Sequence, residues 1–286
     1  MSFTSSKAAS KAIFVVLGLL LLTACGSNNT PAVSTPSSPG NTAASAGAIL
    51  KHSPAGSADL AWDPVTHALT VKIMLLGLAP SSKHPAHIHA GSCAKAGSVL
   101  YPLQDVVADE TGAGSSTSII KDVTSGIPAS GWYINIHNGP ALNPDTQFLS
   151  VSCSNVSNPS TATTSAQKVQ VILGPSPSQN QAVSGSAQLT LSDRTLTVTL
   201  SLQGMEPKTT HSAHIHSGSC GDQGKVLYGL RPVVADASGK GTATTTIPNV
   251  SSMPDIGWYI NVHLTTDMTT QTSNDPIACG DIISNH

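Results

Sequence analysis

Apolar and polar residues alternate over short stretches along most of the chain, which is typical of half-buried β-strands. The clearest stretches are residues 68–73 and 195–200, in which every second residue is apolar. Sequences typical of hairpin turns, at residues 109–112 and 236–239, lie between such stretches. After the first 25 residues, no segment keeps a 3.6-residue period long enough for a substantial helix. The pattern therefore predicts an all-β protein, built as a sandwich or a barrel.

One sequence pattern occurs twice. Residues 84–93, HPAHIHAGSC, recur as HSAHIHSGSC at 211–220, and residues 132–137, WYINIH, recur as WYINVH at 258–263. Two copies are too few for a solenoid, so we predict two tandem globular domains. We place the first domain at residues 48–155 and the second at 167–286, with a polar linker at 156–166 between them.

The first 25 residues have the pattern of a targeting segment. Lys7 and Lys11 precede an apolar run at residues 12–22, which is too short to span a bilayer comfortably. The run ends in Leu-Thr-Ala-Cys25-Gly, which resembles the bacterial lipoprotein signal, whose cysteine is lipidated; an ordinary secretory signal is the alternative. We expect a lipid-anchored protein on the extracytoplasmic face of a bacterial membrane, in the cell envelope. The Ser-, Thr- and Pro-rich residues 26–47 would form a disordered tether.

The cysteines fit this compartment, because disulfides persist outside the cytoplasm. Of five cysteines, lipidation of Cys25 would leave four. The repeat pairs Cys93 with Cys153 and Cys220 with Cys279, one bridge in each copy. Pairing across the copies is the alternative, and it would break the symmetry of the repeat.

Composition excludes several functions. Charged residues make up 10% of the chain, the formal net charge is −2, and no basic stripe is present, so we expect no nucleic-acid partner. No Ser/His/Asp arrangement, carboxylate pair or phosphate-binding glycine loop stands out, so the sequence gives no support to a hydrolase or a nucleotide-binding protein.

The histidines carry the candidate chemistry. Side chains two residues apart on a strand point to the same face, so His87 and His89 stand side by side. The same rule groups Tyr133, Asn135 and His137 on one face of a later strand. If the two strands lie close together, three imidazoles converge. The second copy offers His214, His216 and His263 in the same way.

Three neutral imidazoles suit copper or zinc, and without a free thiolate or a carboxylate we favour copper. The alternative is that these histidines are hydrogen-bonded core or surface residues. Eight of the eleven histidines recur at matching positions in the two copies, which favours a metal site. Asn135 and Asn261 lie beside the third histidine, and each could orient a ligand or bond a loop.

The segments GLAP at 77–80 and HPAHIHAGSC at 84–93 resemble the copper-binding region of copper/zinc superoxide dismutases, as do GMEP at 204–207 and residues 211–220. The segment IACGDI at 277–282 resembles the C-terminal cysteine motif of that family. The resemblance implies a Greek-key, immunoglobulin-like β-sandwich. His87, His89 and His137 match copper ligands, as do His214, His216 and His263. His84 and His211 match a histidine that supports the site without binding metal. The same features also look like the CHRD (chordin-type) domain.

Other parts depart from the dismutase pattern. The position of the histidine that bridges copper and zinc in that family holds Val99 in one copy and Val226 in the other. The zinc-binding loop is absent, and no arginine precedes Cys153 or Cys279 to attract superoxide. These losses imply a domain that holds copper and is a poor dismutase.

Three hypotheses follow for function. The first is copper binding for storage, delivery or protection at the cell surface, with a copper-donating or copper-accepting protein as partner. The second is a weak or specialised copper-only superoxide dismutase, which leaves enzymatic activity open. The third is a structural or adhesion module in which the histidines are vestigial.

Overall fold

The structure, a computed structural model, describes residues 43–143 and 145–285. Within this part the protein is all-β, with 21 strands and two helices of four residues each. The strands and helix of the first half are β1 (Ala44–Leu50), β2 (Ala55–Asp63), β3 (Ala68–Leu76), β4 (Lys83–His84), β5 (Ala86–Ser92), β6 (Lys95–Pro102), β7 (Val106–Ala108), β8 (Gly114–Ile120), β9 (Trp132–His137), α1 (Asp145–Phe148) and β10 (Ser150–Val156).

The second half repeats this order after a ten-residue connection. Its elements are β11 (Gln167–Leu173), β12 (Ser184–Ser192), β13 (Thr195–Gln203), β14 (Thr210–His211), β15 (Ala213–Ser219), β16 (Asp222–Gly229), β17 (Val233–Val234), β18 (Gly241–Ile247), β19 (Trp258–His263), α2 (Gln271–Asn274), β20 (Pro276–Asp281) and β21 (Ile283–Asn285). The alternating stretches at 68–73 and 195–200 lie in β3 and β13, as the pattern predicts.

Each half forms a sandwich of antiparallel sheets. In the first sandwich a six-stranded sheet, in the order β11-β2-β3-β8-β7-β4, packs against a four-stranded sheet, β10-β9-β5-β6. In the second, a five-stranded sheet, β18-β13-β12-β1-β21, packs against β16-β15-β19-β20, and β14 pairs with β17. The prediction of two tandem β-sandwiches is confirmed.

The two halves exchange their first strands. Strand β1 precedes the first sandwich in sequence, but it pairs along its whole length with β12 of the second. Strand β11 precedes the second sandwich and pairs with β2 of the first. The exchanged strands also fill the cores they join, because every second side chain is buried. Ala46, Ala48 and Leu50 lie in the second core, and Val169, Val171 and Leu173 lie in the first.

In each half one disulfide joins a hairpin turn of the four-stranded sheet, β5–β6 or β15–β16, to the edge strand β10 or β20, as the repeat predicts. Cys93 bonds to Cys153 with Cα atoms 6.1 Å apart, and Cys220 bonds to Cys279 at 5.9 Å. The chain just beyond each exchanged strand hydrogen-bonds to one of these cysteines. Lys51 exchanges two backbone bonds with Cys279, and Gly174 does so with Cys153. The disulfides therefore lie where the two halves are tied together.

The predicted lipoprotein signal, with Cys25, lies outside the described residues, as does most of the predicted tether. Residues 44–47, which the sequence assigned to the tether, belong to strand β1. Among residues 43–143 and 145–285, no helix is long and apolar enough to cross a membrane.

Candidate metal centre

Neighbouring strands of the four-stranded sheet bring the histidines of the first half together. β5 and β9 are antiparallel partners, with His87 opposite Asn135 and His89 opposite Tyr133. Ile88, between the two histidines, points into the sandwich core and is fully buried. Because side chains alternate across a strand, His87 and His89 share the outer face with His137, at the end of β9.

The three imidazoles of the first half form a compact group. Their ring centroids are 5.5 Å apart for His87 and His89, 5.2 Å for His87 and His137, and 6.4 Å for His89 and His137. One nitrogen from each ring lies within 4.8 Å of the corresponding atoms of the other two. The geometric prediction that strand alternation makes for this trio is confirmed.

Backbone carbonyls determine which nitrogen of two rings faces the centre. The Nδ1–H group of His89 donates to the Gly97 oxygen at 3.1 Å, and that of His137 donates to the Phe148 oxygen at 2.7 Å. These bonds leave Nε2 of both rings with its lone pair toward the middle of the group. His87 presents Nδ1, which lies 3.2 Å from Nε2 of His137. Hydrogen bonding at the remote nitrogen is the usual way in which a protein orients a histidine ligand.

The second half repeats this geometry. The ring centroids are 5.8 Å apart for His214 and His216, 5.2 Å for His214 and His263, and 6.2 Å for His216 and His263. The Nδ1–H group of His216 donates to the Gly224 oxygen at 3.1 Å, and that of His263 donates to the Asn274 oxygen at 2.8 Å.

Three ring nitrogens of the second trio are buried and have no hydrogen-bond partner among the described residues. They are Nδ1 of His214, Nε2 of His216 and Nε2 of His263. A buried polar atom without a hydrogen-bond partner destabilises the folded protein by about 1–3 kcal/mol. Three such nitrogens directed at one point are therefore best explained by a bound ion or ligand. Three imidazole nitrogens with an open fourth position fit copper or zinc.

Burial favours the neutral form of several trio histidines, and a histidine must be neutral to bind a metal ion. It lowers the pKa of His137 to about 4, and repulsion from His87 and His89 acts in the same direction. The pKa of His263 is also lowered to about 4, again mainly by burial. Burial lowers the pKa values of His87 and His214 as well. At neutral pH a metal ion would therefore not have to displace protons from these rings.

His84 and His211 support the trios without joining them. Both are fully buried. The Nδ1–H group of His84 donates to the backbone oxygen of His137 at 2.8 Å, and that of His211 donates to the oxygen of His263 at 3.0 Å. Each thus fixes the end of the strand that carries the third histidine.

The two asparagines differ from each other. Nδ2 of Asn135 lies 3.2 Å from Nε2 of His137, so it contacts the nitrogen that would bind a metal. Nδ2 of Asn261 instead donates to Gln223 at 3.4 Å. A direct contact with a histidine of the trio is therefore present in the first half, and Asn261 is bonded to a neighbouring side chain.

Sequence reasoning missed several groups at the site. The carbonyls of Gly97 and Phe148 have no signature in the sequence, since any residue provides one. Alternation does place Tyr133 on the face of Asn135 and His137, but it does not predict which ring Tyr133 contacts. Its ring stacks on His89 with centroids 4.9 Å apart, and Tyr259 stacks on His216 at the same distance.

The strands beside β5 and β15 each carry a valine opposite a histidine of the trio. Val99 lies directly opposite His89, and Val226 lies opposite His216. Both valines are half exposed and supply no ligand. Among the described residues, the two trios are also the sole groups of three or more His, Cys, Asp or Glu side chains placed to hold a metal ion.

No curated protein matches the chain. The model of the CHRD domain family matches it twice, over residues 25–141 and 160–268, which together make up most of its length. Each matched range contains one complete histidine trio. The chain therefore belongs to the CHRD domain family and carries two tandem copies of that domain.

Proposed function

We propose that the protein binds copper at its two histidine trios and stores, delivers or buffers the ion at the surface of a bacterial cell. The observation that carries this proposal is the set of three buried, unpartnered nitrogens in the second half. The remote nitrogens of His216 and His263 donate to backbone carbonyls, which orients both rings toward the centre of the trio as metal ligands are oriented.

The choice of copper rests on the donor set. Three neutral imidazoles suit both copper and zinc, but copper binds nitrogen donors more strongly in the divalent series. Neither trio contains a carboxylate or a thiolate, which many zinc sites use. Zinc is therefore the weaker candidate.

The location is part of the proposal. The resemblance of residues 1–25 to a lipoprotein signal supports a lipid anchor at Cys25, with the two sandwiches held outside the cytoplasm. The two disulfides support an oxidising compartment. A protein that donates copper to this chain or accepts it would be its partner.

Dismutase activity is the second candidate. The open fourth position of each trio would admit a small oxygen species, which favours it. Val99 and Val226 stand where a bridging imidazole would lie, which weakens it. A cytochrome c reduction assay on the copper-loaded protein tests this candidate, and rates no greater than that of free copper would remove it.

Metal analysis of the purified protein tests the main proposal. After loading and dialysis we expect two copper ions per chain, one for each trio. Replacing His87 and His89 together by Ala should remove one ion, and the matched pair His214→Ala with His216→Ala should remove the other. His67→Asn is the control, because His67 is exposed and lies outside both trios. A protein that retains no copper would overturn the proposal and favour a structural module.

A further inference from the structure

The two trios open onto different surroundings, and the second faces a cavity of about 440 Å³. Its three histidines form part of the wall of this cavity, together with Met268 and residues 79–82 of the first half. Met268 lies five residues after His263, in the loop between β19 and α2. Met268 therefore lines the same cavity as three histidines whose inward ring nitrogens have no partner among the described residues.

The loop that carries Met268 is tied to the histidine trio. Nδ2 of Asn274 donates to the backbone oxygen of Met268 at 3.1 Å, and the backbone oxygen of Asn274 accepts the Nδ1–H bond of His263. One residue thus positions both a ligand nitrogen and the backbone of the methionine. Asp267 closes the loop, because it accepts hydrogen bonds from the backbone and the hydroxyl group of Thr269.

Most other polar side chains around the cavity are engaged elsewhere. Gln223 donates to the Leu78 oxygen and accepts from Asn261. Gln271 uses both ends of its amide on Lys83. The hydroxyl of Ser82 bonds His84. Among the residues that line the cavity, Met268 is the one with a soft donor atom.

We infer that the second trio holds Cu(I), with the Met268 thioether as its fourth ligand; this rests on the proposed copper function. Thioether sulfur is a soft donor that selects Cu(I) over Zn²⁺ and Cu(II). All four ligands are neutral, and the site is largely buried. A low-dielectric site accepts a monovalent ion at a smaller desolvation cost than a divalent one.

The first half lacks this ligand. The corresponding loop is Gly-Pro-Ala-Leu142-Asn in place of Thr-Thr-Asp-Met268-Thr, so an aliphatic side chain replaces the thioether. The polar bonds that close the loop at Asp267 also have no counterpart at Ala141. Among the described residues, the first trio therefore offers three imidazoles, and the chain would hold one copper centre selective for Cu(I) and one without this selectivity.

X-ray absorption spectroscopy of the Cu(I)-loaded protein tests the assignment. The full chain with His87→Ala and His89→Ala is used, so that only the second trio can fill. We expect one sulfur among the copper neighbours, and Met268→Leu should remove it. Competition with a Cu(I) chelator should show that Met268→Leu binds Cu(I) at least about tenfold more weakly, which corresponds to about 1.4 kcal/mol of binding free energy. The affinity for Zn²⁺ should not change.

Two matched variants complete the experiment. Met74→Leu, at an exposed methionine of the first half, should leave Cu(I) affinity unchanged. In the chain without the second trio, Leu142→Met should tighten Cu(I) binding at the first. Copper bound by nitrogen alone, with equal affinity in Met268→Leu, would overturn the inference and leave the proposed function intact. An absence of copper at the second trio would overturn both.

Discussion

The first and second trios share their ligand geometry and differ in what surrounds it. The closest pair of rings within each trio is 5.2 Å apart, and two rings in each trio donate to a separate backbone carbonyl. Around the first trio, the half-exposed ring of Phe148 lies 5.1 Å from His137. At the corresponding position the second has Asn274, which ties His263 to Met268.

The first half also contributes to the second trio. Gln271, in α2, exchanges hydrogen bonds with the backbone of Lys83, and the buried carboxylate of Asp275 accepts a bond from the backbone of Ala79. Residues 79–83 are thus held against the helix whose last residue orients His263. Strand alternation therefore places the three histidine ligands in the same way in both halves. The loops, and the contacts between the halves, give the two centres different surroundings.

The largest expected effect concerns the exchanged strands. Leu50 in β1 and Leu173 in β11 are both fully buried, each in the sandwich of the other half. Leu50→Ala should cost about 2–5 kcal/mol of the free energy of unfolding, through lost burial and the cavity left behind. Hydrogen exchange should rise in β12 and β13, whereas β2 and β3 should stay protected.

Leu173→Ala should give the reverse, with β2 and β3 losing protection. Two exposed neighbours are the matched controls. Ile49→Ala and Ile172→Ala should change the free energy of unfolding by about 0.5 kcal/mol or less. If Leu50→Ala instead loosened β2 and β3, the two strands would not be exchanged in solution.

The sequence predicted all three histidines of each trio and missed the strand exchange, for physical reasons. Alternation along the segment WYINIH places Tyr133, Asn135 and His137 on one face regardless of what lies around it. The apolar residues of β1 and β11 alternate in the same way. By its pattern alone, β1 or β11 could therefore pair at the edge of the larger sheet of either sandwich. The local sequence does not indicate which of the two sheets each strand joins.

The differences between the two centres were also beyond the reach of local patterns. The carbonyls of Phe148 and Asn274 act on the third histidine from eleven residues away. Every residue has a carbonyl, so no residue type marks this role. The contacts of residues 79–83 with α2 join positions nearly 190 residues apart. They depend on how the two sandwiches pack, which periodicity does not encode.

The next largest expected effect is a pH dependence that both halves share. His137 and His263 have pKa values lowered to about 4, mainly by burial, against 6.5 when unfolded. Between pH 6.5 and about 4 the unfolded chain therefore binds protons that the folded chain does not. The metal-free protein should lose stability as the pH falls through this range, on the order of 1–2 kcal/mol for each histidine at pH 5.

Thermal unfolding of the metal-free protein between pH 7.5 and pH 4.5 measures this effect. The midpoint should fall with pH, and the fall should be shallower in the double variant His137→Gln with His263→Gln. Asp275 acts in the opposite direction, because burial raises its pKa to about 6. Asp275→Asn should therefore steepen the fall. A midpoint that does not change with pH would contradict the burial of the two histidines as neutral rings.

The smallest expected effect is a difference in copper affinity between variants of the two asparagines. Nδ2 of Asn135 contacts Nε2 of His137, so a metal ion must displace it, whereas Asn261 contacts Gln223. A hydrogen bond contributes about 0.5–1.5 kcal/mol net. Asn135→Ala should therefore tighten copper binding at the first trio by about two- to twelvefold, measured by chelator competition in the chain that lacks His214 and His216.

Asn261→Ala is the matched variant, measured in the chain that lacks His87 and His89, and it should change copper affinity at the second trio by less than about twofold. Weaker copper binding in Asn135→Ala would mean that Asn135 orients His137 in the metal-bound state rather than competing with the ion. An equal gain in both variants would mean that the contact with His137 has no part in the effect. The two asparagines occupy one position of the repeat, so a difference between them would have to come from their contacts.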